Sequence, residues 1–386
     1  LKRFLTWRWL TVLAVLAALL LGTSGCAGGT ARATSWTGLT VSGDTLYAAD
    51  LQQVVALNTE DGTQLWAFPE DPKEDNRGLF YAAPAVDENI VMVASQIPPQ
   101  GFLGRAKNVV WAIDRETGTK LRGFEEFEES AGQYIEGGAI GAGLFVIGNS
   151  DNNVYALDIE TGDLQWTFPT GHRVWATPLI ADDTVYVGSM DRHLYALRLA
   201  DGQEIWRFPA DGDAANGAFA SAPVLQNGVL YIGAFDDRLY AIDAEMGTER
   251  WHFEGENWFW GSPVVYDGIV YAADVAGNVY AVNAETGDEV WHRGMDTQVR
   301  AGLALSEDGS RLFVSGQNGT LYALDTARRG ADAWRPVENE GQALSTPVVS
   351  GDVVYNALIY GQYRIFALYV ENGGEAWRPY PDAVEE

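Results

Sequence analysis

Side chains able to do chemistry are few in this sequence. Cys26 is the only cysteine, so no internal disulfide can form, and in the context Thr23-Ser24-Gly25-Cys26 its thiol is a lipidation candidate. His172, His193, His252 and His292 show no metal-ligand spacing, and His252 and His292 each follow a repeated tryptophan, as equivalent surface positions would. Asp211-Gly-Asp213 has the opening of a calcium loop, but Asn216-Gly217 is out of step by one residue. Paired acids suited to glycoside hydrolysis abound, and nothing singles out one pair. Recognition chemistry is better represented. Tyr81, Tyr134, Arg173 and Trp175, then Phe219, Trp258, Trp260 and Arg300, stand where successive strand runs begin. Aromatic faces beside guanidinium groups suit a peptide, a sugar or a flat ring, so these eight are the candidate binding funnel. Glu125, Glu126, Glu128 and Glu129 form a candidate acidic rim.

What must position these groups is a repeat. A glycine precedes a tryptophan by four residues at Trp66, Trp166, Trp206, Trp251, Trp291, Trp334 and Trp377, and an eighth copy from Gly118 carries Arg122 instead. Six of the seven intervals from Gly62 to Gly373 fall between 40 and 45 residues, a propeller-blade period. The unit from Val174 to Phe208 reads as four short strands joined by tight turns, the first beginning at Trp175. Equivalent units begin at Trp36, Phe80, Ile135, Phe219, Phe259, Val299 and Ala343. The expected fold is all-β, an eight-bladed β-propeller of four-stranded antiparallel blades over residues 36–380, followed by an acidic tail, 381–386.

Third strands such as Val-Tyr-Ala-Leu (154–157) are apolar on both faces, as expected where neighbouring blades cover both. The following turns open with Asp158, Asp243, Asn283 or Asp325 and end in glycine, which tolerates left-handed backbone. The seven repeat tryptophans are expected to pack sideways between blades as structural docking residues. First strands carry Thr177-Pro178, Ser262-Pro263 and similar pairs, with small residues facing the crowded axis and proline on an unpaired inner edge.

Lys2, Arg3 and Arg8 precede an apolar run from Trp9 to Leu21, the order of a secretory signal over residues 1–26, and 27–35 reads as a short tether. Lipidation at Cys26, ordinary cleavage near Ala31-Arg32-Ala33 and an uncleaved anchor remain alternatives, and all three place the folded body outside the cytoplasm. With 53 acids against 25 bases, a net charge of −28, nucleic-acid binding through a basic face is not expected. Insertions at Pro69–Leu79 and Gln96–Lys107 and the loop carrying Glu125–Glu129 all open on one face of the ring, where blades 1–3 are expected to contact a partner.

Tyr-Ala-Leu-Asp-Ile-Glu-Thr-Gly-Asp-Leu-Gln-Trp (155–166) resembles the tryptophan-docking repeat of the quinoprotein family, the pyrroloquinoline-quinone-type propellers, and residues 281–291 match nearly as well. The resemblance covers residues 36–380 and implies the propeller fold. The family holds both quinone- and calcium-dependent dehydrogenases and pure scaffolds. The enzymes' calcium and catalytic positions do not map onto this chain one by one, and their vicinal cysteine pair is absent. The overall plan is similar to the propeller lipoproteins of the outer-membrane β-barrel assembly machine. The expectation is an exported, lipid-anchored, monomeric, non-catalytic scaffold for envelope protein partners at the extracytoplasmic face, with no cofactor. The alternative is a dehydrogenase-like or small-ligand and sugar-binding propeller using the funnel.

Overall fold

The computed structural model describes residues 38–98, 106–121, 132–210, 217–360 and 364–380. Cys26, Asp211-Gly-Asp213, Glu125, Glu126, Glu128, Glu129 and the segments 1–37 and 381–386 lie outside them. The described chain is all-β, with eight antiparallel meanders arranged as an eight-bladed propeller. The blades span residues 39–68, 79–114, 139–169, 179–208, 224–254, 264–294, 303–332 and 348–380. Seven are four-stranded. Blade 2 has three strands among the described residues, with a single bridge from Ile113 to Lys120 where a fourth would begin.

Third strands lie at the centre of each blade, buried on both faces, as in Asn153–Asp158 and Asn278–Asn283. Where the strand ends in Asp or Asn, the turn closes as an Asx-turn. The Asp158 carboxylate accepts from the backbone N–H groups of Glu160 and Thr161 at 2.9 and 3.0 Å, and Gly162 takes φ +77°. A bulge follows in the fourth strand. Ala156 pairs with Trp166 but Leu157 with Leu164, leaving Gln165 unpaired, and the same step leaves Leu65, Ile205, Arg250 and Val290 unpaired. The bulge turns the tryptophan sideways into the seam and its predecessor toward solvent.

Each docking tryptophan covers the repeat glycine of the next blade. A Cβ at Gly202 would lie 2.6 Å from the Trp166 ring, and one at Gly118 2.6 Å from the Trp66 ring. The indole N–H donates into the same turn, from Trp166 to the Leu199 carbonyl at 2.8 Å and from Trp334 to the Val370 carbonyl at 3.1 Å. Trp66, Trp166, Trp291, Trp334 and Trp377 are buried, while Trp206 and Trp251 are half-buried. Trp377 closes the ring, since it packs on Gly62 of blade 1 and donates to the Thr59 carbonyl at 3.1 Å. In that last seam Arg364 of blade 8 forms a two-bonded pair with buried Asp50 of blade 1, at 2.6 and 2.7 Å.

Two expectations change. The first strands begin after their prolines, at Leu179, Val224, Val264 and Val348, because proline has no N–H with which to open the ladder. Of these first-strand prolines only Pro84 lies inside its strand, Leu79–Val86, and there the register shifts between Tyr81 and Ala85. Blade 2 also differs within its centre: Trp111 replaces the repeat tyrosine, packs 5.6 Å from Phe68, and lies 4.9 Å beneath the Arg77 guanidinium.

Candidate functional site at the mouth of the axial channel

In blades 3 to 8 the entering residues lie outside the strands and run as connections over one end of the axis, held by backbone bonds such as Val174 N–H to the Asn149 carbonyl at 3.0 Å. One position in each connection points into the seam between blades. Tyr134, Val174, Phe219, Phe259 and Val299 occupy it, and all are buried. Tyr134 and Phe219 therefore belong to the core packing rather than to the funnel, one residue out of step with the mouth. The next position faces the opening and holds Trp175, Trp260 and Arg300. Arg173 is exposed, and the Trp175 indole N–H donates to Ser150 Oγ at 3.0 Å. Tyr81 lies in the strand Leu79–Val86 of blade 2.

The structure brings Trp258, Trp260 and Arg300 together through a residue the sequence reading missed, Phe235. Phe235 stacks on Trp258 with ring centres 5.0 Å apart and planes 13° from parallel, and lies 5.0 Å from Trp260 with the planes tilted by 38°. The Arg300 guanidinium sits 5.7 Å from the Trp260 ring centre. Trp258 remains 46 % exposed at the outer end of this ladder. Phe235 occupies a second-to-third-strand turn where the equivalent residues are Ser150, Met190 and Val275, so an aromatic in that turn was the available signal.

The ladder leads to a cavity of about 100 Å³ on the axis, lined by residues from all eight blades, mostly Ala, Gly, Ser and Thr. Glycine is required here: a Cβ at Gly261 would lie 2.1 Å from the Ala301 carbonyl oxygen. Arg300 and Glu136 both line this cavity, from blades on opposite sides of the ring, and Arg300 Nε is buried without a hydrogen-bond partner. Burial pushes the Glu136 carboxyl up from 4.5 to about 7. Folding therefore favours the protonated acid: this contribution is fully present below pH 4.5 and is lost as pH rises through about 7. Glu136→Gln is expected to raise the thermal midpoint above pH 7 and leave it unchanged below pH 4.5, in melts run across that range. Parallel curves for the two proteins would contradict this.

Among the described residues no three His, Cys, Asp or Glu side chains converge as a metal site. The cavity is also well below the roughly 300 Å³ at which small-molecule pockets begin. His252 and His292 each pair with the glutamate three residues earlier, Glu249 and Glu289, at 2.7 Å on the outer strands.

Similar solved structures share the fold. BamB from Moraxella catarrhalis is 17 % identical with a TM-score of 0.67, over 83 % of this chain and 93 % of that one. The computationally designed Ika8 protein is 18 % identical with a TM-score of 0.70, over 87 % and 96 %. The quinohemoprotein alcohol dehydrogenase ADHIIG from Pseudomonas putida HK5 is 14 % identical with a TM-score of 0.60, over 78 % of this chain and 66 % of the enzyme. No curated protein matches the sequence. The family model described as outer membrane protein assembly factor BamB matches residues 22–133, 106–233, 199–298 and 275–386. With its repeats matched from the first blade to the last, the chain belongs to this family of pyrroloquinoline-quinone-type propellers.

Proposed function

We propose that this protein is an exported, lipid-anchored and non-catalytic scaffold that holds protein partners during envelope assembly. The observation that carries this reading is the family match along the whole repeat array, whose description names an outer-membrane assembly factor. The propeller supplies a rigid ring, and Trp258, Phe235, Trp260 and Arg300 supply an aromatic and cationic anchor at its mouth, the composition of binding hot spots. A lipid on Cys26 would keep the monomeric ring at the extracytoplasmic face without burying any of it. No cofactor takes part. The acidic run at Glu125, Glu126, Glu128 and Glu129 is a second proposed contact. A sugar on the exposed Trp258 face is the competing reading, favoured by the flat stack with Phe235.

The test places a photo-reactive amino acid at position 258 or 173 in cells, with position 286 on the opposite face as control. Crosslinks to a protein from 258 and 173 but not from 286 are expected. Equal crosslinking from all three positions would sink the mouth as the docking site.

A further inference from the structure

The outer flank of the ring, far from the mouth, carries a groove whose natural occupant is displayed elsewhere in the same chain. At the seam between blades 1 and 2, Arg115 lies in such a groove. Its guanidinium is 5.9 Å from the Tyr47 ring centre, and Nε donates to the Tyr47 hydroxyl at 3.0 Å. The remaining nitrogens donate to the Ser42 carbonyl at 3.1 Å, to Ser42 Oγ at 3.0 Å and to the Asp87 carbonyl at 3.0 Å. A Cβ at Gly43 would stand 3.8 Å from Arg115 Nη2.

The repeat places Tyr186 at the position of Tyr47 in the seam between blades 4 and 5, and Ala244 at the position of Arg115. The plug is gone and the tyrosine remains. The groove there opens to about 540 Å³, against about 360 Å³ at the plugged seam. Tyr186 is 7 % exposed where Tyr47 is 1 %, and Trp206 is half-buried where Trp66 is buried. At the position of Gly43 stands Asp182, a carboxylate beside the point where the guanidinium nitrogen would lie. Asp182 and Glu245 line the groove with no ion pair among the described residues, while Asp243 is already held by Arg250 at 2.7 Å. Bulged Ile205 on its wall is 51 % exposed. Met246, 65 % exposed, stands where the other repeats carry Asp61, Thr117, Thr161, Asp201, Thr286, Arg329 or Asn372.

We infer that the groove between blades 4 and 5 is a binding site for an arginine side chain presented by a partner polypeptide, with an apolar residue beside it on Ile205 and Met246. The guanidinium lies against Tyr186 as Arg115 lies against Tyr47, Glu245 stands where the plugged seam has Glu116, and Asp182 adds a carboxylate where that seam has Gly43. This site is independent of the mouth and of the partner held there.

Its test uses the full chain in mild detergent and a synthetic peptide, acetyl-Gly-Ser-Leu-Arg-Leu-Ser-Gly-amide, in a calorimetric or fluorescence titration. The repeat itself provides the variants. Ala244→Arg refills the groove as in blade 2, and Ile205→Gln with Met246→Thr installs residues found at the same positions of other blades. Ala244→Arg is expected to weaken the peptide at least tenfold while leaving the melting temperature unchanged or higher. The Ile205→Gln/Met246→Thr pair, which keeps every charge, is expected to weaken it several-fold, and replacing the peptide arginine by lysine or glutamine at least fivefold. Equal affinity of the parent and Ala244→Arg proteins would overturn the site, as would equal binding of the arginine and glutamine peptides or no binding at millimolar concentration.

Discussion

Trp377→Ala is expected to lower the unfolding free energy by about 3–5 kcal/mol, the range for truncating a buried tryptophan. Trp377 is the docking residue on which the ring itself depends. It fills the seam between the last blade and the first, lies against the Gly62 turn, donates to Thr59 and packs 6.1 Å from Tyr355. Among the described residues no strand from one end of the chain completes a blade at the other, because blade 1 and blade 8 are each built from contiguous residues. Side-chain contacts therefore carry this seam among the described residues, and losing the largest side chain leaves a void that neighbouring blades cannot fill without opening the ring. Half-buried Trp251, inside the array, provides the comparison. Urea denaturation should show a larger loss for Trp377→Ala than for Trp251→Ala. A loss below about 1 kcal/mol at Trp377, against the usual range, would show that the closing seam is held by something else.

The same seam supports a second large effect. Arg364→Leu should cost about 3–5 kcal/mol, because it leaves the Asp50 carboxylate buried without its cation. Asp50 is 5 % exposed, and both of its oxygens receive a guanidinium hydrogen bond. The pair as a whole contributes much less than this, since bringing both charges out of water offsets most of their attraction. The double variant Asp50→Leu/Arg364→Leu should thus recover most of the stability lost in Arg364→Leu. A double-mutant cycle measured by denaturant unfolding tests this directly. If the double variant were less stable than Arg364→Leu, the pair would be a net stabilising element rather than a device that fixes how the ends meet.

The blades were legible because each element of the repeat has its own physical signature: a doubly buried third strand, an Asx-turn ending in glycine, and a tryptophan four residues on. What lay between blades was not legible to the residue. Tyr134 and Trp175 look alike as aromatics near a strand start, yet they sit one position apart in the connection, and one is core while the other faces the mouth. No strand or helix alternation marks these short connections, and their register is set by backbone bonds to the turn of the preceding blade, such as Phe259 N–H to the Ala234 carbonyl at 3.1 Å. Glu136 and Phe235 escaped notice for the same reason, since an acid and an aromatic in short connections carry no pattern until the ring brings them together. Arg115 stood in plain sight as the basic residue where other repeats have Ile159, Leu199, Ala244 or Ala284. Its meaning required the neighbouring blade, because Tyr47 and Ser42 lie 68 and 73 residues away in the chain.

The most direct measurement is native mass spectrometry of the protein extracted from its own membranes in mild detergent. The scaffold reading predicts a diacylglyceryl mass on Cys26 and a co-purifying protein that is lost from the Trp258→Ala variant. A bound quinone-sized mass with a calcium ion, and no protein partner, would contradict it.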